Sequence, residues 1–262
     1  MTVAGPRLAH EHALIVAAVR EAGALALDFF KKGARSWDKK PDDPVSEADL
    51  AVDELLKRRL TGARPDYGWL SEETEDNPAR LTRRRCWIVD PIDGTKAFLK
   101  GTPEFTVCVA LVEDGRPIAG VVHNPATDEF YEATRGGGAF LNGRPIRPSA
   151  VRDVVRAHYL TGKRAFCYHD WPAPAEAFHH TWMNSIAYRM ALVAEGRFDA
   201  AISLAGKSDW DIAAADLIVH EAGAKATTGG GETFVYNQAS CRQRNLVTAG
   251  PALHAELMKI LD

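Results

Sequence analysis

Apolar residues recur at helical spacing from Leu8 to Lys32, with Leu14, Ile15, Ala18, Val19, Ala22, Leu25 and Phe29 on one face. Gly33 supplies a stop for that helix. The stretch from Gly33 to Pro44 is polar and contains two prolines, which predicts a loop. A second helix is predicted from Ser46 to about Leu60, because Ser46-Glu47-Ala48-Asp49 places an acid three residues after a hydroxyl, as a capping box does. From Trp87 the period shortens. Trp87-Ile88-Val89, Phe105 to Val112, Ile118 to His123, Glu129 to Ala133 and Ala139 to Leu141 read as strands. Asp114-Gly115, Pro125 to Asp128, the glycines 136–138 and Asn142-Gly143 separate them, which predicts an antiparallel meander. Beyond Ser149 the elements alternate. A helix is expected over Trp182 to Glu195, a strand over Phe198 to Leu204 and a helix over Trp210 to Ala222. Short strands near Phe234 and Leu246 and a closing helix from Pro251 complete the pattern. The mixture predicts an α/β (α+β) protein of packed layers, with no internal repeat.

Composition narrows this only slightly. With 46% apolar and 26% charged residues over 262 positions, the chain has ordinary globular proportions and can build a core without covalent staples. A formal charge of −3 gives no global attraction to nucleic acid or anionic membrane, while leaving room for a local positive pocket. Cys86, Cys108, Cys167 and Cys241 form no CxxC pair and read as free thiols in a reducing compartment. The N-terminus lacks a signal-peptide pattern and no apolar run is long enough to span a bilayer, so a cytoplasmic location without membrane partners is expected.

Candidate chemistry lies in acids at the ends of apolar runs. Glu72-Glu73 follows Tyr67-Gly68-Trp69-Leu70, Asp90 and Asp93 follow Trp87-Ile88-Val89, and Asp211 follows Trp210 at the start of a helix. Taken singly, each has a plain structural reading. Asp90-Pro91-Ile92-Asp93-Gly94-Thr95 is an acidic turn before a helix, 72–76 a solvated loop, Asp211 an acid favoured by the helix dipole and Asp49 a capping residue. Together, clustered carboxylates need a positive neighbour, and oxygen-rich clusters suit a hard cation, magnesium before calcium. Such an ion can orient water, lower its pKa and stabilise charge on a leaving oxygen. Gly94 would let a phosphate approach the backbone, and a helix starting at Thr95 or Lys96 would present free N–H groups to it.

Four ordered segments resemble the inositol monophosphatase superfamily of magnesium-dependent, lithium-sensitive phosphatases. Pro44 to Asp49 is similar to its Val-Thr-x-x-Asp segment and Leu70 to Thr74 to its Gly-Glu-Glu segment. Trp87 to Thr95 resembles the Asp-Pro-Ile/Leu-Asp-Gly-Thr signature, and Trp210 to Ala214 with Glu221-Ala222-Gly223 resembles the Trp-Asp motif. The resemblance implies a layered αβαβα sandwich. Residues 1-149 would form an N-terminal subdomain holding most ligands, and 150-262 a C-terminal one contributing Asp211 and substrate contacts. It also implies in-line attack on phosphorus by water activated at the metal site, with no phospho-enzyme. Glu72, Asp90 and the Ile92 carbonyl would bind one Mg2+, and Asp90, Asp93 and Asp211 a second. Asp49 with Glu72 would activate water or hold a third ion. Thr95 and Glu72 would position the nucleophile, and Gly94 and Thr95 would receive phosphate. Lys40 aligns loosely with a lysine seen upstream of the first motif. Ser71 and Ala224 stand where glycines are common, and Asn184-Ser185 where Gly-Ser is usual.

The substrate would be a small phosphorylated metabolite. Lys96-Ala97-Phe98-Leu99-Lys100, followed by Glu104-Phe105-Thr106-Val107, is most similar to the CysQ-type 3'(2'),5'-bisphosphate nucleotidases. Lys96 and Lys100, with Lys207 and Arg189, would supply charge for the second phosphate of adenosine 3',5'-bisphosphate. Ser185 would touch the sugar. Equally, Lys96 and Lys100 fit one exposed helix face. Inositol-1-monophosphatase and histidinol-phosphate phosphatase activities are the alternatives within the superfamily, where homodimers are common. A different class is an RNA-binding regulator, supported only by Lys57-Arg58-Arg59 and Arg83-Arg84-Arg85, short runs without interleaved aromatics. A histidine site near Cys167, His169 and His179-His180 matches no zinc spacing.

Overall fold

The computed structural model describes residues 6–261, so the signal-peptide reading of the N-terminus falls partly outside the described range. Helix α1 (Pro6–Lys32) ends where the amide of Gly33, at φ +85°, donates to the Phe29 carbonyl. Left-handed backbone of this kind favours glycine. The expected loop after it is instead a hairpin, β1 (Ser36–Lys40) paired antiparallel with β2 (Asp43–Ser46). Every residue of β1 is exposed, so no buried face imposes the alternation by which a strand is usually detected. Helix α2 (Glu47–Ala63) follows, with the Ser46–Asp49 capping box in place.

The main sheet contains β3 (Gly68–Ser71), β4 (Arg85–Asp93), β5 (Thr106–Glu113), β6 (Arg116–Asn124), β7 (Glu129–Thr134), β8 (Gly138–Leu141) and β9 (Arg144–Pro145), in that spatial order. A five-residue helix, α3 (Thr95–Leu99), follows β4. From β4 onward the neighbours are antiparallel, as the meander predicted, while β3 and β4 run parallel.

A second sheet has the order β11 (His179–Thr181), β10 (His158–Leu160), β12 (Ala200–Ser203), β16 (Leu246–Ala249) and β14 (Lys225–Thr227). Two short strands, β13 (Lys207–Ser208) and β15 (Arg242–Gln243), pair separately. Helices α4 (Ile186–Ala194) and α5 (Asp209–Glu221) lie between the sheets, and α6 (Pro251–Leu261) covers the outer face of the second. The layers therefore read αβαβα.

Alternation in the central strands explains the stacking. Trp87, Val89, Val107, Val109 and Val121 meet Ile15, Val19, Val52 and Leu56 of α1 and α2. Their neighbours Ile88, Cys108, Ala110 and Val122 face the opposite way, against Met190, Ile212, Ala213 and Ile218 of α4 and α5. Because helices cover both faces, β5 is buried at nearly every position and reads as a continuous apolar run. Gly120 lets α5 approach closely, since a Cβ there would stand 3.2 Å from the Ala214 Cα.

Two further expectations change. The helix expected from Trp182 begins only at Ile186, because Ser185 (φ +48°) caps it by accepting the Tyr188 amide. No strand forms at Phe234 among the described residues. Phe234 is buried in irregular backbone, its carbonyl bound by Arg116, and the strand lies earlier, at Lys225–Thr227.

Candidate active site

Three chain segments deliver acids to one point. Parallel pairing places Ser71 opposite Val89, so the next residues, Glu72 and Asp90, emerge side by side at the same sheet edge. The Glu72 amide donates to the Val89 carbonyl at 3.3 Å. Ser71 donates its hydroxyl to Asp53, as does Thr74, tying the 71–74 loop to α2. Asp211 arrives from the first turn of α5, where its carboxylate accepts the Ser208 amide in a second capping box. One carboxylate oxygen from each of Glu72, Asp90 and Asp211 lies within 4.8 Å of the others.

Beyond Asp90 the β4–β5 register shifts, and Asp93 pairs with Thr106. Asp93 Oδ2 accepts the Ser185 hydroxyl and the Ala187 amide, both at 2.7 Å. Since Ser185 gives its one proton to Asp93, Thr106 Oγ1 is the donor in the 3.0 Å contact between the two hydroxyls. Ser185 thus orients Asp93 and caps α4. Asp49 Oδ2 accepts from Ser46, while its Oδ1 lies 3.1 Å from Thr95 Oγ1, which is also 3.1 Å from the Ile92 carbonyl. Gly94 sits at φ +99°, and a Cβ there would stand 2.7 Å from the Glu104 carbonyl. The helix after it has only five residues, so local amides, rather than a helix dipole, face the site.

The acids strain one another electrostatically. Burial, then repulsion from Glu72, Asp93, Asp211 and Asp49, raises the Asp90 carboxyl well above the usual range. Burial also pushes Glu72 up to about 8, with Asp211 and Glu73 adding to the rise and Lys39 opposing it. Asp211 is pushed up to about 6 by burial and Asp93. Asp93 is raised by burial despite its two hydrogen bonds. Asp90 Oδ1 is buried without a hydrogen-bond partner among the described residues. Acidic oxygens this close, one of them orphaned, fit a divalent hard cation.

All of this opens on a cleft of about 330 Å³, lined by Glu72, Asp90, Ile92, Asp93, Gly94 and Thr95 together with Lys96, Ser185, Arg189, Lys207 and Asp211. Asp49 lies behind the lining and reaches it through Thr95. The structure therefore gathers the residues singled out in the sequence as ligands, nucleophile holders and substrate contacts, with the exception of Lys100.

Lys100 is separate. It is exposed at the C-cap of α3, one residue past the last helical position, and does not line the cleft. Lys39, rather than Lys40, reaches the acids, bonding Glu73 at 2.7 Å and Glu72 at 3.3 Å. Burial works against its charge, but the bonds to Glu73 and Glu72 outweigh that and hold it protonated. The sequence reading also missed the hairpin turn (Asp42, Asp43, Pro44) and Trp182, which line the cleft.

The other features noted in the sequence, the basic runs and the histidines near Cys167, do not line this cleft. Among the described residues, Glu72, Asp90 and Asp211 are the only cluster of three or more metal-ligating side chains, so the histidines near Cys167 form none. The basic runs are partly engaged in ion pairs, Arg59 with Glu21, Arg84 with Asp114 and Arg85 with Glu113. No described helix is long and apolar enough to cross a membrane.

Layered αβαβα architecture with a carboxylate cluster at the sheet edge defines a sugar-phosphatase-like hydrolase. Residues 8–262 match the model of the inositol monophosphatase family, and the chain belongs to that family. It is 37% identical to an inositol-1-monophosphatase of Rhizobium meliloti over 248 residues, covering 90% of this chain and 92% of that protein. It is 36% identical to a histidinol-phosphatase of Chlorobaculum parvum over 212 residues, covering 78% of this chain and 80% of that protein. A 3'(2'),5'-bisphosphate nucleotidase CysQ of Aggregatibacter actinomycetemcomitans is 31% identical over 223 residues, covering 80% and 81%. The crystal structure of the extragenic suppressor protein suhB of Bartonella henselae superposes with a TM-score of 0.82 at 30% identity, covering 95% of this chain and 97% of that one. The chain is a phosphoric monoester hydrolase, and its family acts on small phosphorylated substrates with the help of metal ions.

Proposed function

We propose that this phosphatase uses Mg2+ to hydrolyse a bisphosphorylated nucleotide of the adenosine 3',5'-bisphosphate type. The observation that carries the substrate choice is Arg189. Its side chain is 4% exposed, yet it makes no hydrogen bond to the protein among the described residues, and its Nε is buried and unpaired. Burial lowers its pKa to about 10, with only Asp93 opposing. A buried guanidinium without an acceptor is unfavourable by several kcal/mol unless an anion completes it. Lys96 and Lys207 line the same cleft. A phosphate held at the carboxylate cluster leaves these three cations available to a second one.

Glu72, Asp90 and the Ile92 carbonyl would hold one ion, and Asp90, Asp93 and Asp211 another. Bound there, magnesium supplies Lewis-acid charge to the phosphoryl oxygens and lowers the pKa of water. The chain's own residues supply the positioning. Thr95, its proton directed to Asp49 or Ile92, keeps its lone pairs free to accept from the attacking water. Glu72 receives the proton that water loses. Lys39 keeps Glu72 ionisable, and the Gly94 and Thr95 amides take the phosphate oxygens. The water attacks phosphorus in line as the bond to the ester oxygen breaks, and that oxygen takes a proton from solvent to leave as the alcohol.

A second reading, inositol 1-phosphate, is favoured by the 37% identity to the Rhizobium meliloti protein. Parallel assays with Mg2+ on adenosine 3',5'-bisphosphate, inositol 1-phosphate and histidinol phosphate separate the readings. The nucleotide is expected to give the highest kcat/KM. A clear preference for inositol 1-phosphate would sink the nucleotide reading while leaving the phosphatase chemistry intact.

A further inference from the structure

One large aromatic side chain at the cleft is left exposed. Trp182 is 63% exposed, the most exposed of the large hydrophobic side chains among the described residues, and it lines the same cleft as the acids. Its indole is held from one face by the Arg189 guanidinium, whose Cζ lies 4.9 Å from the ring centroid. Gly162 lies beside one edge of the ring, since a Cβ there would stand in ordinary contact, 3.6 Å from Trp182 Cε3. Arg189 itself belongs to the first turn of α4 and is fixed by burial. The ring is therefore braced by a rigid element, unlike a free surface tryptophan. Pro44 and Ile186 add apolar surface to the same cleft.

We propose that Trp182 is a stacking platform that selects phosphate esters carrying a planar aromatic ring, such as a purine or an imidazole, over esters of saturated polyols. The proposal rests on the phosphatase assignment and sharpens its substrate class. A cation over one face of an indole leaves the other face for a flat π-system, and stacking against it tolerates any base because every base has such a face. A polyol offers no such face, and its hydroxyls would need polar partners that an indole face does not supply.

The test is a KM-against-kcat comparison of wild type, Trp182→Ala and Trp182→Phe with Mg2+. The substrates are adenosine 3',5'-bisphosphate, histidinol phosphate and ring-free glycerol 2-phosphate. Because the side chain is exposed, Trp182→Ala should fold, which an unchanged Tm verifies. Its KM for the ring-bearing esters is expected to rise roughly 5- to 150-fold, the worth of one stacked base, with kcat and glycerol 2-phosphate hydrolysis within about twofold of wild type. Trp182→Phe should recover most of the loss. An unchanged KM for both ring-bearing esters, or an equal loss on glycerol 2-phosphate, overturns the platform. A wild type that prefers histidinol phosphate removes the nucleotide reading alone, because the alanine variant must still lose affinity for the imidazole ester.

Discussion

Thr95 Oγ1 lies 3.1 Å from Asp49 Oδ1, joining the residue that would orient water to the capping acid of a helix 46 positions away in sequence. Asp49 therefore has two tasks, since its other oxygen accepts the Ser46 amide and hydroxyl. Replacing each partner by alanine separates them. Thr95→Ala should lower kcat by about 10²–10⁴ with little change in Tm, the scale of a lost proton-handling group. Asp49→Ala should lose activity and also about 1 kcal/mol of stability, because the capping box goes with it. Equal stability losses in both variants would remove the distinction.

Asp90 is buried, partly unpaired and surrounded by acids. Asp90→Asn removes a charge that is unfavourable in the metal-free protein. Its Tm in EDTA is expected to exceed that of wild type, while phosphatase activity falls by at least about 10²–10³. Thermal unfolding with and without Mg2+, beside a turnover assay, reads both effects. Wild-type turnover in the variant would refute the ligand assignment.

Stability should depend on pH in a direction that the cation reverses. Glu72 is pushed up to about 8 and Asp211 to about 6, both above their values in an unfolded chain. The folded metal-free protein therefore binds more protons than the unfolded one, and its stability falls as pH rises through these values. The contribution is fully present below about pH 4, the range of free carboxylates. Mg2+ binds the ionised groups, so the rise in Tm on adding it should be larger at pH 8.5 than at pH 5.5. A shift independent of pH would contradict the site.

Lys39 is expected to set the acid limb of activity. Its ammonium bonds Glu72 and Glu73 and favours the ionised form of Glu72. Lys39→Met removes that charge, so the pKa of Glu72 rises and the acid limb of the kcat/KM profile should move to higher pH. Lys40→Met, changing a neighbour on an exposed strand, is the control and should leave the profile in place.

Gly94 is constrained by conformation and by space. Gly94→Ala places a methyl group 2.7 Å from the Glu104 carbonyl on left-handed backbone. A loss of roughly 1–2 kcal/mol from conformation alone is expected, and activity should fall because the adjacent amides move. Denaturant unfolding measures the first effect and turnover the second.

The carboxylate cluster was legible because each acid ends an apolar run or occupies a capping position, and both signals are local. Asp90 follows Trp87-Ile88-Val89, and Ser46–Asp49 announces its helix outright. The hairpin at Ser36–Ser46 was not legible, because its outer strand buries nothing and leaves no alternation to read. Lys39 was missed with it. Trp182 was absorbed into an expected helix, but that helix starts only at Ile186, because the positive-φ backbone of Ser185, invisible in sequence, sets its N-terminus. Lys100 was misplaced for a similar reason. Spacing of four implies a shared face only while the helix continues, and α3 ends at Leu99.

In the seven-stranded sheet every neighbouring pair is antiparallel except β3 and β4, which run parallel. Had those strands run antiparallel with the same span, Glu72 would leave the far end of a four-residue strand, roughly 13 Å away at about 3.3 Å per residue. That distance would put it beyond any shared ion. The crevice thus exists because two chain ends point the same way, and no other neighbouring pair in the sheet offers this. Inserting an antiparallel hairpin partner at that edge, rather than altering any acid, would be the surest way to erase the site from an otherwise intact fold.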